Sequence, residues 1–339
     1  MWDRFNALPA YLGGKRRLCR LIFALLATSV PRERWPSLTL LDPFLGGGSV
    51  SLFAKAQGVR VACNDLALRS AVVGRALVAN STVTLTAADV ALLTQEPHEP
   101  YPRSAEQRYS PSVFPPDHAR LLDRALWWVR SGLFPEPKRS LALVLLVKWA
   151  LRIQPMSMLR GTDARAASGG DYDRVSPRRV GHYLRSQELL RPAALWRLAQ
   201  EINLGVFPGQ GSASQQDALA FLAHTAGDVV YLDPPYPTTT AYEREYEVLD
   251  ELLEGESRPT SPFSTDTEML PLLFAACRHI NIWLVSLNNA ALSLEELKDL
   301  IRPHRPNIRA VQVPYGHLVS IASEVKNAKN REFIILATA

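Results

Sequence analysis

Leu38-Thr39-Leu40-Leu41-Asp42-Pro43-Phe44-Leu45-Gly46-Gly47-Gly48-Ser49-Val50-Ser51-Leu52-Phe53 decides how this chain folds. Its short apolar run reads as a buried strand, and the apolar positions after Ser49 read as a helix. Between them, three consecutive glycines allow positive φ and a close approach of backbone to ligand. Strand, glycine-rich turn and helix, in that order, open a doubly wound α/β sheet. The spacing is not G-x-G-x-x-G and no Gly-Lys-Ser/Thr follows, which disfavours a P-loop and a standard dinucleotide site. Taken alone, the glycines fit a plain flexible loop equally well.

Working outward, Val59-Arg60-Val61-Ala62-Cys63-Asn64-Asp65 reads as a second strand. Asp65 lies roughly twenty residues beyond the glycines, where an α/β nucleotide site sets a carboxylate on ribose hydroxyls. An N-cap on a helix Leu66–Val78 explains it equally well. Upstream, Tyr11-Leu12-Gly13-Gly14-Lys15-Arg16-Arg17-Leu18 places a glycine pair and a lysine before an apolar helix Leu18–Leu26, a start that suits a carboxylate or phosphate. Far downstream, the buried strand Val229–Leu232 runs into Asp233-Pro234-Pro235-Tyr236. Two prolines end the ladder and make a rigid turn. The turn gathers a carboxylate, a free carbonyl and an aromatic ring, the parts needed to hold an amino group on a flat ring. An ordinary Pro-Pro turn with a capping Asp is the alternative.

The 339 residues are 47% hydrophobic, enough for one large domain with an insert or for two domains. The longest apolar stretch, Leu141–Ile153, is too short to span a bilayer and carries Lys148 and Arg152. Asp3, Arg4 and Asn6 precede any apolar run, so no signal peptide is expected. Cys19, Cys63 and Cys277 are odd in number and widely spaced, suggesting neither disulfides nor zinc and fitting a reducing compartment. Charge is uneven: residues 101–200 hold 17 Lys and Arg against 8 Asp and Glu, and the remainder holds 21 against 25. A basic insert in a near-neutral core is expected of a nucleic-acid enzyme. Solvated helix faces explain the many arginines but not their clustering.

Residues 94–117 read as a loop entering the insert, Asp117–Arg130 as an amphipathic helix, Leu141–Ile153 as a buried helix, and His182–Arg197 as a helix broken near Pro192. Met158–Arg179 is polar and holds Arg160, Arg165, Arg174, Arg178 and Arg179; such a stretch is usually functional or disordered. The core resumes with a short strand at Gly205-Val206-Phe207, a helix Ala218–His224, and strands at Ile280–Ser286, Ile308–Val313 and Phe333–Ala337. Tyr242 and Tyr246 lie in a segment able to close over a substrate, and Lys326–Arg331 forms a small basic turn.

Together these motifs make the chain similar to the DNA adenine-N6 methyltransferases of the Dam type. Tyr11–Lys15 resembles their aromatic-x-Gly-Gly-Lys element, Pro43–Gly48 their Pro-Phe-x-Gly-x-Gly element, and Asp233–Tyr236 their Asp-Pro-Pro-Tyr. The likeness covers about residues 5–80 and 205–339 and leaves the middle poorly matched. It implies a Rossmann-like α/β methyltransferase sheet with helices on both faces and a C-terminal antiparallel hairpin. Residues 1–80 and 205–339 would form the catalytic domain, and 81–204 a mainly helical, basic target-recognition insert. In that insert Gly170-Asp171-Tyr172-Asp173 loosely resembles a Gly-x-Phe-Asn element, with Asp173 in place of Asn. The implied donor is S-adenosylmethionine, with no metal. Tyr11, Lys15, Asp42, Phe44, Gly46, Gly48, Asp65, Asp217 and Asp233 would line its site, Asp217 serving equally as an N-cap. Asp233, Pro234 and Tyr236 would act on the extruded adenine, and the five insert arginines would meet double-stranded DNA. A cytoplasmic protein from a bacterium, archaeon or phage is expected, with or without a cognate restriction or defence system. Cytosine-N4 methylation, an RNA or protein substrate, and a non-catalytic DNA-binding module stay open as alternatives.

Overall fold

A computed structural model describes residues 2–153, 186–235, 244, 246–255, 261–266, 268–289, 292–314 and 330–339. Its framework is a seven-stranded sheet in the order β3-β2-β1-β4-β5-β7-β6, formed by β1 (Thr39–Asp42), β2 (Arg60–Asn64), β3 (Gly211–Ser214), β4 (Val229–Leu232), β5 (Ile282–Asn288), β6 (Asn307–Pro314) and β7 (Arg331–Thr338). Neighbours from β3 through β5 pair in parallel, and β7 runs antiparallel to both β5 and β6. This is the Rossmann-like arrangement with its C-terminal antiparallel pair.

The chain winds outward from β1 to β3, then restarts at β4 on the other side of β1. That reversal opens a crevice at the C-terminal ends of β1 and β4, where α/β sheets bind ligands. The two strands are apolar without alternation because both faces are covered: every residue of β4 is buried. The edge strand β6 alternates between half-buried and exposed residues over most of its length.

Two apolar clusters sandwich the sheet. One gathers Ala218, Phe221, Leu273, Phe274, Leu297 and Ile301 against the faces of Leu41, Val230 and Trp283. The other takes Leu40, Tyr231 and Leu284 together with Ile22, Leu26 and Val72, and it continues without a break into the insert through Leu122, Leu145, Trp149 and Leu198. The described insert helices Ala87–Thr94, Pro116–Arg130, Lys138–Ile153 and Pro192–Asn203 therefore share the core's apolar layer. Polar ties reinforce it: Arg130 donates to the Leu252 carbonyl at 2.7 Å, Lys148 donates to the Asn6 carbonyl, and Arg108 and Tyr109 both meet Glu251.

Three local expectations fail. Gly205-Val206-Phe207 is a turn, and the strand beside β2 is Gly211–Ser214. Small polar residues on an edge give no apolar signal; ladder bonds to Val61–Asn64 make that strand. Residues 94–117 are not all loop: Ser104–Tyr109 is helical, begun where the Asp123 carboxylate accepts from the amides of Ala105 and Glu106 at 2.7 and 2.9 Å. The helix expected at Leu66–Val78 starts at Leu68 and ends in a π-helical turn, Gly74–Ala79.

Candidate active site

Each of the four strands β1 to β4 delivers an aspartate to the C-terminal edge of the sheet: Asp42, Asp65, Asp217 and Asp233. Their environments differ, and so does what each can do.

The glycine turn after β1 is built for a close approach. Gly46 and Gly48 sit at φ of 52° and 75°, a region that side-chain-bearing residues rarely enter. The Gly46 amide donates to Asp65 Oδ2 at 2.8 Å, and the Leu45 amide to the Asn64 carbonyl at 2.9 Å, which ties the turn to the end of β2. The ring of Tyr11 lies against this turn. A Cβ on Gly46 would stand 2.8 Å from Tyr11 Cε1, and one on Gly47 2.6 Å from Tyr11 Cβ. Tyr11 in turn stacks on Tyr246 with centroids 5.2 Å apart. The Tyr246 hydroxyl accepts from the Leu12 amide at 2.7 Å, and its other neighbour is the Arg69 guanidinium, 4.3 Å from the ring centroid and paired with buried Asp250. The N-terminal motif is thus clamped between the glycine turn and a residue that follows the Asp-Pro-Pro segment.

Asp42 ends β1 and is 1% exposed. Ser51 donates to its Oδ2 at 2.7 Å, and its Oδ1 is buried without a hydrogen-bond partner among the described residues. Burial, and beyond it the nearby charges of Asp233 and Asp65, push its carboxyl up to about 7. A buried carboxylate oxygen left open in this way is an invitation to a cationic or hydrogen-donating ligand.

Asp233 follows β4 and is 18% exposed, with the Lys15 ammonium 3.0 Å from its Oδ1. The same ammonium lies 3.4 Å from Oε1 of fully buried Glu332 and donates to the Gly13 carbonyl at 2.9 Å. Tyr231 donates to Asp233 Oδ2 at 3.3 Å, and Ser286 donates to Glu332 Oε1 at 2.6 Å.

Asp65 uses both oxygens on backbone, Oδ2 accepting from Gly46 and Oδ1 from the Ala67 amide at 2.9 Å. It does not cap the next helix directly; Ala67 is the N-cap residue. Asp217 caps the helix Ala218–His224, its Oδ1 accepting from Leu219 and Ala220 at 2.9 and 3.1 Å. Phe44 packs edge-on against Phe263, centroids 5.0 Å apart, on the opposite sheet face from Tyr11. Tyr236, Tyr242, Arg160, Arg165, Arg174, Arg178, Arg179, Gly170–Asp173 and 326–329 of the basic turn lie outside the described residues.

Tyr231, Ser286 and Glu332 escape a reading of sequence because they lie in or beside apolar runs. One signal existed: Glu332, Ile334 and Leu336 occupy the same face of β7, so alternation points a carboxylate inward.

Residues 11–108 match the family described as D12 class N6 adenine-specific DNA methyltransferase. Over 346 aligned residues the chain is 26% identical to the type II methyltransferase M2.HphI of Haemophilus parahaemolyticus, with 96% of each chain covered. No helix among the described residues is long and apolar enough to cross a membrane.

Proposed function

We propose that this chain, a D12-class DNA adenine-N6 methyltransferase, holds the extruded adenine at Asp233-Pro234 and its methyl donor beside Asp42, across the crevice between β4 and β1. One observation carries the reading. Where the strand order reverses between β1 and β4, a Pro-Pro turn bearing a partly exposed aspartate stands next to a glycine turn bearing a buried one.

The donor is S-adenosylmethionine, whose sulfonium supplies an electrophilic methyl group. The residues present fit it. Its sulfonium and ammonium are cations, and the crevice carries Asp42, Asp65 and Asp233 against Lys15. Asp42 Oδ1 would accept from the ammonium. Asp65, at the end of β2, would meet the ribose hydroxyls while it holds the glycine turn. Tyr11 would pack against the amino-acid part, and Asp217, at the end of β3, would reach the adenine ring of the donor with the oxygen its cap leaves free.

The target N6 is a poor nucleophile because its lone pair is delocalised into the ring. Asp233 and the Pro234 carbonyl would accept its two hydrogens, which favours a pyramidal nitrogen and turns its lone pair toward the methyl carbon. Alignment of that kind is worth roughly 7–11 kcal/mol in well-oriented systems. Tyr236 would stack on the base, offsetting the few kcal/mol that flipping costs. Residues 81–204 would read the target and contact phosphates, with Arg160, Arg165, Arg174, Arg178 and Arg179 as the cationic stretch. A companion endonuclease of a restriction-modification system fits a relative that is a type II methyltransferase, and the chain would act in the cytoplasm.

The test is methyl transfer from labelled S-adenosylmethionine to unmethylated duplex DNA, followed by digestion to nucleosides. N6-methyl-2′-deoxyadenosine is the expected product. N4-methylcytosine, or no modified base, would overturn the reading, and mapping of modified positions would give the recognition sequence.

A further inference from the structure

The crevice chemistry leaves the buried acid beside Lys15 unused. Glu332 is fully buried at the start of β7, opposite Asn288 of β5 and Val313 of β6 in the ladder. A buried carboxylate costs several kcal/mol unless it is paired and hydrogen-bonded. Glu332 has both compensations. Through Lys15 it lies two contacts from Asp233, at 3.4 Å and then 3.0 Å. Ser286 donates to it at 2.6 Å, and on the neighbouring strand Tyr231 donates to Asp233 at 3.3 Å. Asp233, Lys15, Glu332, Ser286 and Tyr231 therefore form a cluster beneath the Asp-Pro-Pro turn. It is assembled from β4, β5, β7 and the N-terminal motif.

We infer that Glu332 is a positioning residue for methyl transfer: with Ser286 and Tyr231 it holds Lys15 and Asp233 in the arrangement that presents the Asp233 carboxylate to N6. This rests on the adenine-N6 reading above. Both Asp233 oxygens are held, Oδ1 by Lys15 and Oδ2 by Tyr231, which keeps the carboxylate from swinging about its side-chain torsions.

Charge supports the same role. Asp233 and Lys15 alone would be a neutral pair, with the ammonium drawn fully onto the oxygen that N6 needs. A second carboxylate shares that ammonium and leaves the trio at one net negative charge. During transfer, positive charge moves from the donor's sulfur onto N6. An anionic group fixed in advance beside N6 stabilises the transition state more than the ground state.

The test is Glu332→Gln, which keeps shape and an acceptor for Ser286 but removes the charge. Single-turnover methyl transfer to duplex DNA should slow by roughly 10- to 100-fold, the scale of a misplaced catalytic group. Dissociation constants for S-adenosylmethionine, by calorimetry, and for DNA should stay within about threefold, since Glu332 itself, unlike Lys15 and Asp233, is placed at neither donor nor phosphate. Glu332→Asp should recover part of the rate, and Ser286→Ala should lower it less than Glu332→Gln. A folded Glu332→Gln with wild-type rate overturns the inference. So does a loss matched by an equal loss of cofactor affinity, which would make Glu332 part of the donor site. If Glu332→Gln does not fold, Ser286→Ala decides: a wild-type rate refutes the positioning role. Wild-type protein that methylates no adenine refutes the functional reading itself, whereas active wild type with an indifferent Glu332→Gln refutes only Glu332.

Discussion

Asp42 and Asp233 begin alike. Each ends a buried strand, each is followed by proline, and their strands pair in parallel through Leu40–Val229 and Leu41–Val230. Their surroundings then separate them. Asp42 is sealed, hydrogen-bonded by the Ser51 hydroxyl, and pushed toward neutrality by burial. Asp233 is partly open and sits beside an ammonium. The same dipeptide grammar yields one sealed carboxyl and one carboxylate paired with an ammonium; in the function proposed above, the first would take a cation and the second an amine. The outer pair shows a similar divergence: Asp65 braces the glycine turn, and Asp217 caps a helix.

The largest expected effect belongs to Asp233. Asp233→Ala should cut the single-turnover rate by roughly 10³-fold, the order lost with one preorganised polar group at the reacting centre. Gel-shift affinity for DNA should hold. An active variant would erase the distinction between the two aspartates.

Asp42→Asn should act on binding instead. Loss of a charge-assisted contact worth about 1.5–3 kcal/mol predicts about 10- to 150-fold weaker S-adenosylmethionine binding by calorimetry. Thermal stability should not fall at pH 8, because the variant no longer buries a charge there. A variant with unchanged affinity would remove Asp42 from the donor site.

The pH dependence sharpens that contrast. The Asp42 carboxyl is raised from its ordinary 3.8 to about 7 in the fold. Its contribution to stability is therefore complete below about pH 4 and lost as pH rises through 7, because the folded state holds the proton more tightly. Cofactor binding has the opposite sign, since an ammonium needs the ionised form. Affinity should improve from pH 6 to pH 8, with protons released on binding at pH 6. Calorimetry in buffers of different ionisation enthalpy measures that release, and Asp42→Asn should abolish it.

The smallest effects probe the frame. Gly47→Ala drives a methyl group to 2.6 Å from Tyr11 Cβ and should cost about 1–3 kcal/mol in denaturant unfolding, the usual penalty of overpacking. Asp217→Ala should cost about 1 kcal/mol through the lost cap, while Asp217→Asn keeps it. If the Asp217→Asn variant binds cofactor as the wild type does, Asp217 is a cap and nothing more.

Much of this was legible in the chain itself. The apolar runs before Asp42, Asp65 and Asp233, the three glycines and the two prolines are local signals. They act within a few residues, so strand ends, the glycine turn and the Pro-Pro stop could be placed by inspection. So could the helix Ala218–His224, whose span is observed as expected. Less legible was whatever depends on partners far along the chain. Gly211–Ser214 is a strand only because β2 offers it a ladder. The middle segment stands out in the sequence by its basic charge; that its described helices join the core's apolar cluster through Leu145, Trp149 and Leu198 shows only in the fold.

The sequence by itself determined the elements and the types of group at their ends, because hydrophobic period, glycine freedom and proline's missing donor are local physics. Tertiary structure decided which of those groups face one another and in what state. Lys15 meets Asp233 and Glu332 across more than 200 residues of chain, and Asp42 is raised because the folded sheet takes it out of water. Desolvation and ion pairing depend on surroundings that no stretch of sequence contains, and they are what turn two similar aspartates into different instruments.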